Sequence, residues 1–395
     1  MDFFESLHYR FNKRVLCCLG QWPLQSQNEH YFYRTMTVLI IASMIVPQMI
    51  KFISYLGDLR GMIECIAAIG LHFRSVVRFI NSSVKTTTMR KLANRIKDDW
   101  TVRINEYDET LLRSCAERGQ LLSVVYSVYM FGGTMLFLSI PLMPIVLDAV
   151  VPLNQSRGRI YLFQLEYFVD QDEYYICIMI HACIAIPVGI AIIVACDTMH
   201  AVYVHHACGI FATMGARLQD IQSIANHEKL EICEDHRKRT DKAYDDIVAC
   251  IKMHIEAVEI AKLIESSCCI SFLFVIGASI FTTTVTGFMT VTNLDQPIVA
   301  LRYALVVVAD LMHLFYICWQ GHMLVKYSED IFIKAYNVDW CDMPNQTKKL
   351  LIVIMLRSFH PCTLTAGKIF VLSMETYAAA LKSTMSYFTV LLSMQ

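Results

Sequence analysis

Seven stretches of the chain are apolar over roughly the 20 residues a helix needs to cross a bilayer. They are predicted at about 35–55, 61–80, 121–147, 174–199, 264–291, 298–322 and 365 to the C-terminal end. The second is the weakest, because it carries Glu64, Arg74 and Arg78. Alternating segments of about 10 residues are absent, so helices and not barrel strands are the expected spanning elements. Between spans four and five, Ile247, Ile251, His254, Val258, Ile260 and Leu263 recur at helical spacing with charges between them. Both spans are therefore expected to continue below the membrane as long helices. Their apolar stripe fits either contact between subunits or a hairpin within one.

Composition supports lipid as the solvent. Charged residues make up 17% of the 395, against about 25% in soluble domains, and 55% are hydrophobic. Mean hydropathy is +0.44. The net charge of −1 gives no reason to expect nucleic acid. Residues 1–30 hold Asp2, Glu5, Arg10, Lys13 and Arg14 and lack the apolar run of a cleaved signal, so the first hydrophobic segment is read as a retained span. The fifteen cysteines show no framework spacing and are read as small buried hydrophobes or reduced thiols.

Charge placement fixes the expected orientation. The N-terminal segment and the loops after spans two, four and six hold about 25 Lys and Arg, whereas the opposite loops hold Arg60, Arg157 and Arg159. Positive charge stays on the cytosolic side, which places the N-terminus in the cytosol and the C-terminus outside, the reverse of a G-protein-coupled receptor. The glycosylation sequon at Asn154 then falls in an extracellular loop. Asp310 and Arg302, both in span six, are expected to cancel in part within that helix or to line a watery crevice.

The last segment has an informative face. Stepping along a helix at i, i+3 and i+4 gives Thr376, Ala379, Ser383, Ser386, Val390 and Met394. Around a symmetry axis this stripe is a small-residue water path closed by two apolar layers, of the kind that gates by dewetting. Within one subunit it is a small-residue packing seam. Both readings stand on spacing alone.

The stretch Pro361-Cys362-Thr363-Leu364-Thr365-Ala366-Gly367, then Phe370-Val371-Leu372-Ser373 and Leu381 to Leu392, resembles the C-terminal signature of insect odorant receptors. The resemblance implies a seven-helix ligand-gated cation channel, a tetramer with its pore lined by the last helix and Val390 and Met394 at the gate. It also implies partnership with the co-receptor Orco, in the plasma membrane of sensory neurons. The long insertion of Orco after span four is missing, so this chain resembles a ligand-tuning subunit. The Gln-Phe ending of gustatory receptors is also missing, and that related class is the alternative, with a G-protein-coupled receptor only if the topology is reversed. The family's pocket lies between spans two, three, four and six in the outer half of the membrane. Tyr129, Met130, Gly133, Phe137, Tyr175, Met179 and Tyr303 are the candidates there for a small volatile odorant, each with core packing as the bland alternative.

With the resemblance, the expected organisation is a cytosolic segment (1–34), a six-helix bundle with the pocket (35–322), a cytosolic loop with what the resemblance implies is an anchor helix at 345–358 (within 323–364), and a pore-lining helix (365–395). The sequence shows no nucleotide loop, nucleophile elbow, paired carboxylates or metal-ligand spacing, so no enzyme, cofactor or metal is expected. A transporter is disfavoured by the odd span number and the lack of an internal repeat.

Overall fold

The computed structural model describes residues 4, 9–102, 106–151, 157–227, 236–338, 340 and 343–393. Asn154 and Met394 therefore lie outside the described residues. The fold is almost entirely helical, as the apolar segments predict. In chain order the helices are α1 (Arg10–Cys18), α2 (Gln27–Ser54), α3 (Leu59–Val84), α4 (Thr86–Val102), α5 (Glu106–Ser139) and α6 (Met143–Val150). They continue as α7 (Tyr175–His227), α8 (His236–Thr292), α9 (Pro297–Asn337), α10 (Asn345–Ser358) and α11 (Met374–Ser393). A two-stranded antiparallel hairpin, β1 (Thr365–Ala366) with β2 (Phe370–Val371), precedes α11.

Among the described residues, five stretches are long and apolar enough to cross a membrane: Gln27–Ser54, Asp108–Val150, Tyr175–Ile221, Lys242–Thr292 and Pro297–Asn337. The other two expected spans form α3 and α11, each of at least 20 residues. At 1.5 Å per residue, the 53 residues of α7 and 57 of α8 run well past a hydrocarbon layer of about 30 Å. Spans four and five thus continue as long helices, as expected.

α7 is the axial helix. Ile192, Val194, Ala195, Val204, Ala207, Cys208, Ile210 and Met214 are all at 0% exposure, so burial goes all the way round it. Such a helix is apolar on every side, and small residues let its neighbours close in. A β-carbon at Gly209 would lie 2.7 Å from Leu112 of α5, and a β-carbon at Gly119 of α5 would lie 2.7 Å from His205 of α7.

Two expectations are corrected. The last helix begins at Met374 and not at Thr365, because Gly367 (φ +63°) and Lys368 (φ +60°) turn the chain left-handed and close the hairpin. Asp310 does not pair with Arg302. Its partner is Arg74 of α3, 2.6 Å away, so the two arginines that weakened span two as a prediction are half of a buried ion-pair system.

Candidate functional site

The segment 157–174, between α6 and α7, packs on one end of the bundle against α2, α3 and α9. Leu162 and Leu165 are buried, and the rings of Tyr161, Phe163 and Tyr167 are partly so. Polar clamps hold the segment. Lys51 of α2 meets Glu166 at 3.1 Å, the Glu166 N–H donates to the Pro47 carbonyl at 3.2 Å, and Gln164 Nε2 donates to Glu64 of α3 at 3.3 Å. The Glu166 carboxylate also accepts the Phe168 N–H at 3.0 Å. That bond, followed by the one from Lys51, holds its pKa below the ordinary carboxylate value.

The predicted ligand residues fall into three adjoining groups. Phe137 and Met179 belong to one cluster with Ile140, Leu162, Leu165 and Ile178. There the Phe163 ring lies 5.4 Å from Phe137 and 6.1 Å, edge-on, from His72 of α3. Met179, Tyr161, Phe163 and their neighbours close round a cavity of about 10 Å³, room for roughly one water. Tyr175 joins this group through Tyr161, whose ring it meets edge-on at 5.3 Å, and its hydroxyl donates to the Ile160 carbonyl at 3.1 Å.

Met130 is buried in a second cluster with Tyr126, Ile190 and Tyr316, with Tyr129 half-buried against it. Gly133, one helical turn beyond Tyr129, is half-buried, and a β-carbon there would meet nothing within 4 Å. Tyr303 sits in a third cluster with Ala67 and Met289. Its hydroxyl accepts Arg302 Nη2 at 2.8 Å, while Arg302 Nη1 reaches the Tyr161 carbonyl at 2.8 Å. The candidates thus surround one region at this end of the bundle without forming a single wall. His72, Tyr161 and Phe163 were missed by the sequence reading; the aromatic density of 161–168 was the available signal. A larger apolar groove of about 400 Å³ between α2, α3 and α8 shares none of the candidate residues.

Below these clusters lies a polar core. Asp310 of α9 takes Arg74 and also the Thr282 hydroxyl of α8 at 2.8 Å, and Arg74 donates to Thr282 at 3.0 Å. One turn along α3, Arg78 meets Asp197 of α7 at 2.5 Å. His313 Nε2 lies 2.8 Å from the same carboxylate, and the Tyr126 hydroxyl donates to it at 3.2 Å. Tyr126 in turn stacks on Tyr316 at 3.9 Å. Charges at this depth are tolerated because each has opposite charge and hydrogen bonds. The arrangement ties α3, α5, α7, α8 and α9 together.

At the other end, the hairpin is pinned to two helices. The Thr365 N–H donates to Glu265 of α8 at 2.7 Å and its hydroxyl bonds the same carboxylate. The Gly367 N–H reaches the Cys269 carbonyl at 2.9 Å, and the Cys362 N–H donates to Ser328 of α9 at 2.9 Å. α11 then packs on α8 and α9 through buried Ala380 and Thr384, with Tyr377 edge-on to Phe315 at 5.6 Å. The predicted stripe flanks that packed edge, with Ala379 and Ser383 each about 100° round the helix from its packed neighbour. Thr376 is half-covered at the base, and Ala379, Ser383, Ser386 and Val390 are exposed.

A family model described as "7tm Odorant receptor" matches residues 58–385. Odorant receptor 30a of Drosophila melanogaster is 20% identical over 326 residues, 81% of this chain and 80% of that one. Odorant receptor 10 of Aedes albopictus is 23% identical over 190 residues, 45% of each chain, so that match spans less than half of the relative. The solved structure of the insect olfactory receptor OR5 from Machilis hrabei in complex with eugenol superposes with a TM-score of 0.73. It is 14% identical and covers 98% of this chain and 97% of that chain, which establishes the shared fold.

Proposed function

This chain belongs to the 7tm odorant receptor family, a family of multi-pass membrane receptors and not of enzymes, and from that premise we propose that it is a ligand-tuning channel subunit. In this reading a small volatile odorant binds among the outer aromatic clusters, and α11 of each subunit lines a non-selective cation pore. The subunit works with Orco in the plasma membrane of sensory neurons, N-terminus inside and C-terminus outside. α3 and α11 complete seven spans. Val390 and Met394 form the gate.

The carrying observation is the uncovered face of α11. Ala379, Ser383, Ser386 and Val390 are exposed while Ala380 and Thr384 are packed on the helix's own bundle. A Ser/Ala stripe gains little from lipid, whereas water or a neighbouring subunit satisfies it. The outer face of α10 supports assembly. Ile352, Val353 and Leu356 of α10 and Phe359 just after it are exposed, and in the cytosolic position this reading gives them such an apolar surface calls for a cover.

Single cysteines at Ser383 and Ser386, and at buried Ala380 and Thr384, test the orientation. Charged thiol reagents applied to cells co-expressing Orco should block odorant-evoked current at the first pair and leave the second pair unchanged. Equal sensitivity at all four, or block only at the buried pair, refutes the pore assignment.

A further inference from the structure

His72 stands at the inner edge of the outer aromatic cluster and is 2% exposed. Its Nδ1 lies 3.0 Å from the Ala68 carbonyl, four residues back on the same helix. A carbonyl oxygen only accepts, so Nδ1 carries the proton and donates it. The other nitrogen, Nε2, has no hydrogen-bonding group of the described residues within reach. No acceptor faces it, so it presents a lone pair. Buried acceptors in this state are uncommon and point to an absent donor.

The surroundings define what that donor is attached to. The Cδ2 edge of the ring, next to Nε2, faces Gly189 of α7, where a β-carbon would sit 4.0 Å away. On another side the Phe163 ring meets His72 edge-on and also contacts Phe137. Phe163 belongs to no helix; the clamps at Glu166 and Gln164 hold its segment in place. The cavity beside it is about 10 Å³, too small for an organic ligand while Phe163 stays. An incoming aromatic ring that takes the place of the Phe163 side chain keeps both ring contacts and adds whatever substituent it carries.

We propose that His72 Nε2 is the polar anchor of the odorant site, and that the preferred ligands are small aromatic alcohols or phenols whose hydroxyl donates to it while their ring replaces that of Phe163. This rests on the odorant-receptor reading above. Esters, ethers and ketones of the same skeleton offer no donor. They gain the apolar contacts alone.

The test compares hydroxyl compounds with their methyl ethers in cells co-expressing Orco: 4-methylphenol with 4-methylanisole, and 2-phenylethanol with its methyl ether, within a broad odorant panel. The wild type should respond to the hydroxyl member at about tenfold lower concentration, the worth of one neutral hydrogen bond. In His72→Phe the two members should become equal, while surface expression and responses to panel odorants without hydroxyls persist. His72→Gln, which keeps an acceptor, should retain part of the preference. A hydroxyl preference that survives His72→Phe overturns the proposal, as does a wild type that answers other odorants with no such preference. If His72→Phe fails to reach the surface, His72→Gln and the wild-type pairs decide in the same way. Silence of the surface-expressed wild type to the whole panel sinks the receptor reading itself.

Discussion

Replacing Asp310 with Asn leaves the Arg74 guanidinium in the middle of the bundle without its counter-charge. Both side chains are almost fully covered, at 3% and 4% exposure, and the pair is 2.6 Å apart. Thr282 bonds to both partners. Removing one member of such a pair costs about 3–5 kcal/mol, comparable to the ~2.5–3.5 kcal/mol insertion cost of a lone charge at mid-bilayer. Loss of the hydrogen bond alone would cost only about 1 kcal/mol, so the stranded charge dominates. Arg74→Met should cost a similar amount through the stranded carboxylate. The double variant Arg74→Met/Asp310→Leu strands nothing and should recover most of the summed losses of the single variants, on the order of 6 kcal/mol. Thermal unfolding of detergent-solubilised protein, followed by size-exclusion fluorescence, reads this as two midpoints lowered by several degrees and a double variant close to wild type. Additive losses, or single variants within about 1 kcal/mol of wild type, would show that water or another group already compensates the charges.

Three further outcomes are expected. Gly321→Ala places a β-carbon 2.3 Å from the Leu372 carbonyl; α9 must then part from the hairpin, lowering thermal stability by more than about 2 kcal/mol, with larger changes in gating than in surface expression of whatever folds. Val390→Ser should raise basal conductance in the absence of odorant if the apolar ring holds the pore dry, measured as leak current in co-expressing cells. The depressed pKa of Glu166 means that its clamp contributes fully above the unfolded-state value of about 4.5 and is lost as the outside pH falls below it through the folded value; hydrogen exchange in residues 157–174 should rise on acidification, and Glu166→Gln should flatten that dependence.

The apolar runs marked the long helices correctly, because a 20-residue hydrophobic window is a local property. The helix at Asn345–Ser358 was expected from the family resemblance, with His360-Pro361 as the break after it, and a helix with those bounds is present. Arg74 and Arg78 misled because their meaning is not local. Their partners Asp310 and Asp197 lie more than a hundred residues away, and only the packed bundle joins them. The same holds for Phe163: an aromatic loop residue says nothing of its depth until the Glu166 and Gln164 clamps are seen. The hairpin at Thr365–Val371 was hidden by its hydrophobicity, and Gly367 was its one local mark. On α11 the stripe was legible in spacing, and the packing of Ala380 and Thr384 supplied what spacing could not, namely which edge is held against the bundle.

The fastening of the hairpin to α8 and α9 makes α11 a rod hinged at its foot. Val390 is 16 residues above Met374, about 24 Å along the axis. A tilt of only ~5° at the hinge carries Val390 sideways by ~2 Å, on the scale of the radius of a hydrated constriction. In the proposed pore, leverage of this kind would let displacements of α8 and α9 too slight to disturb their own packing act at full stroke at Val390.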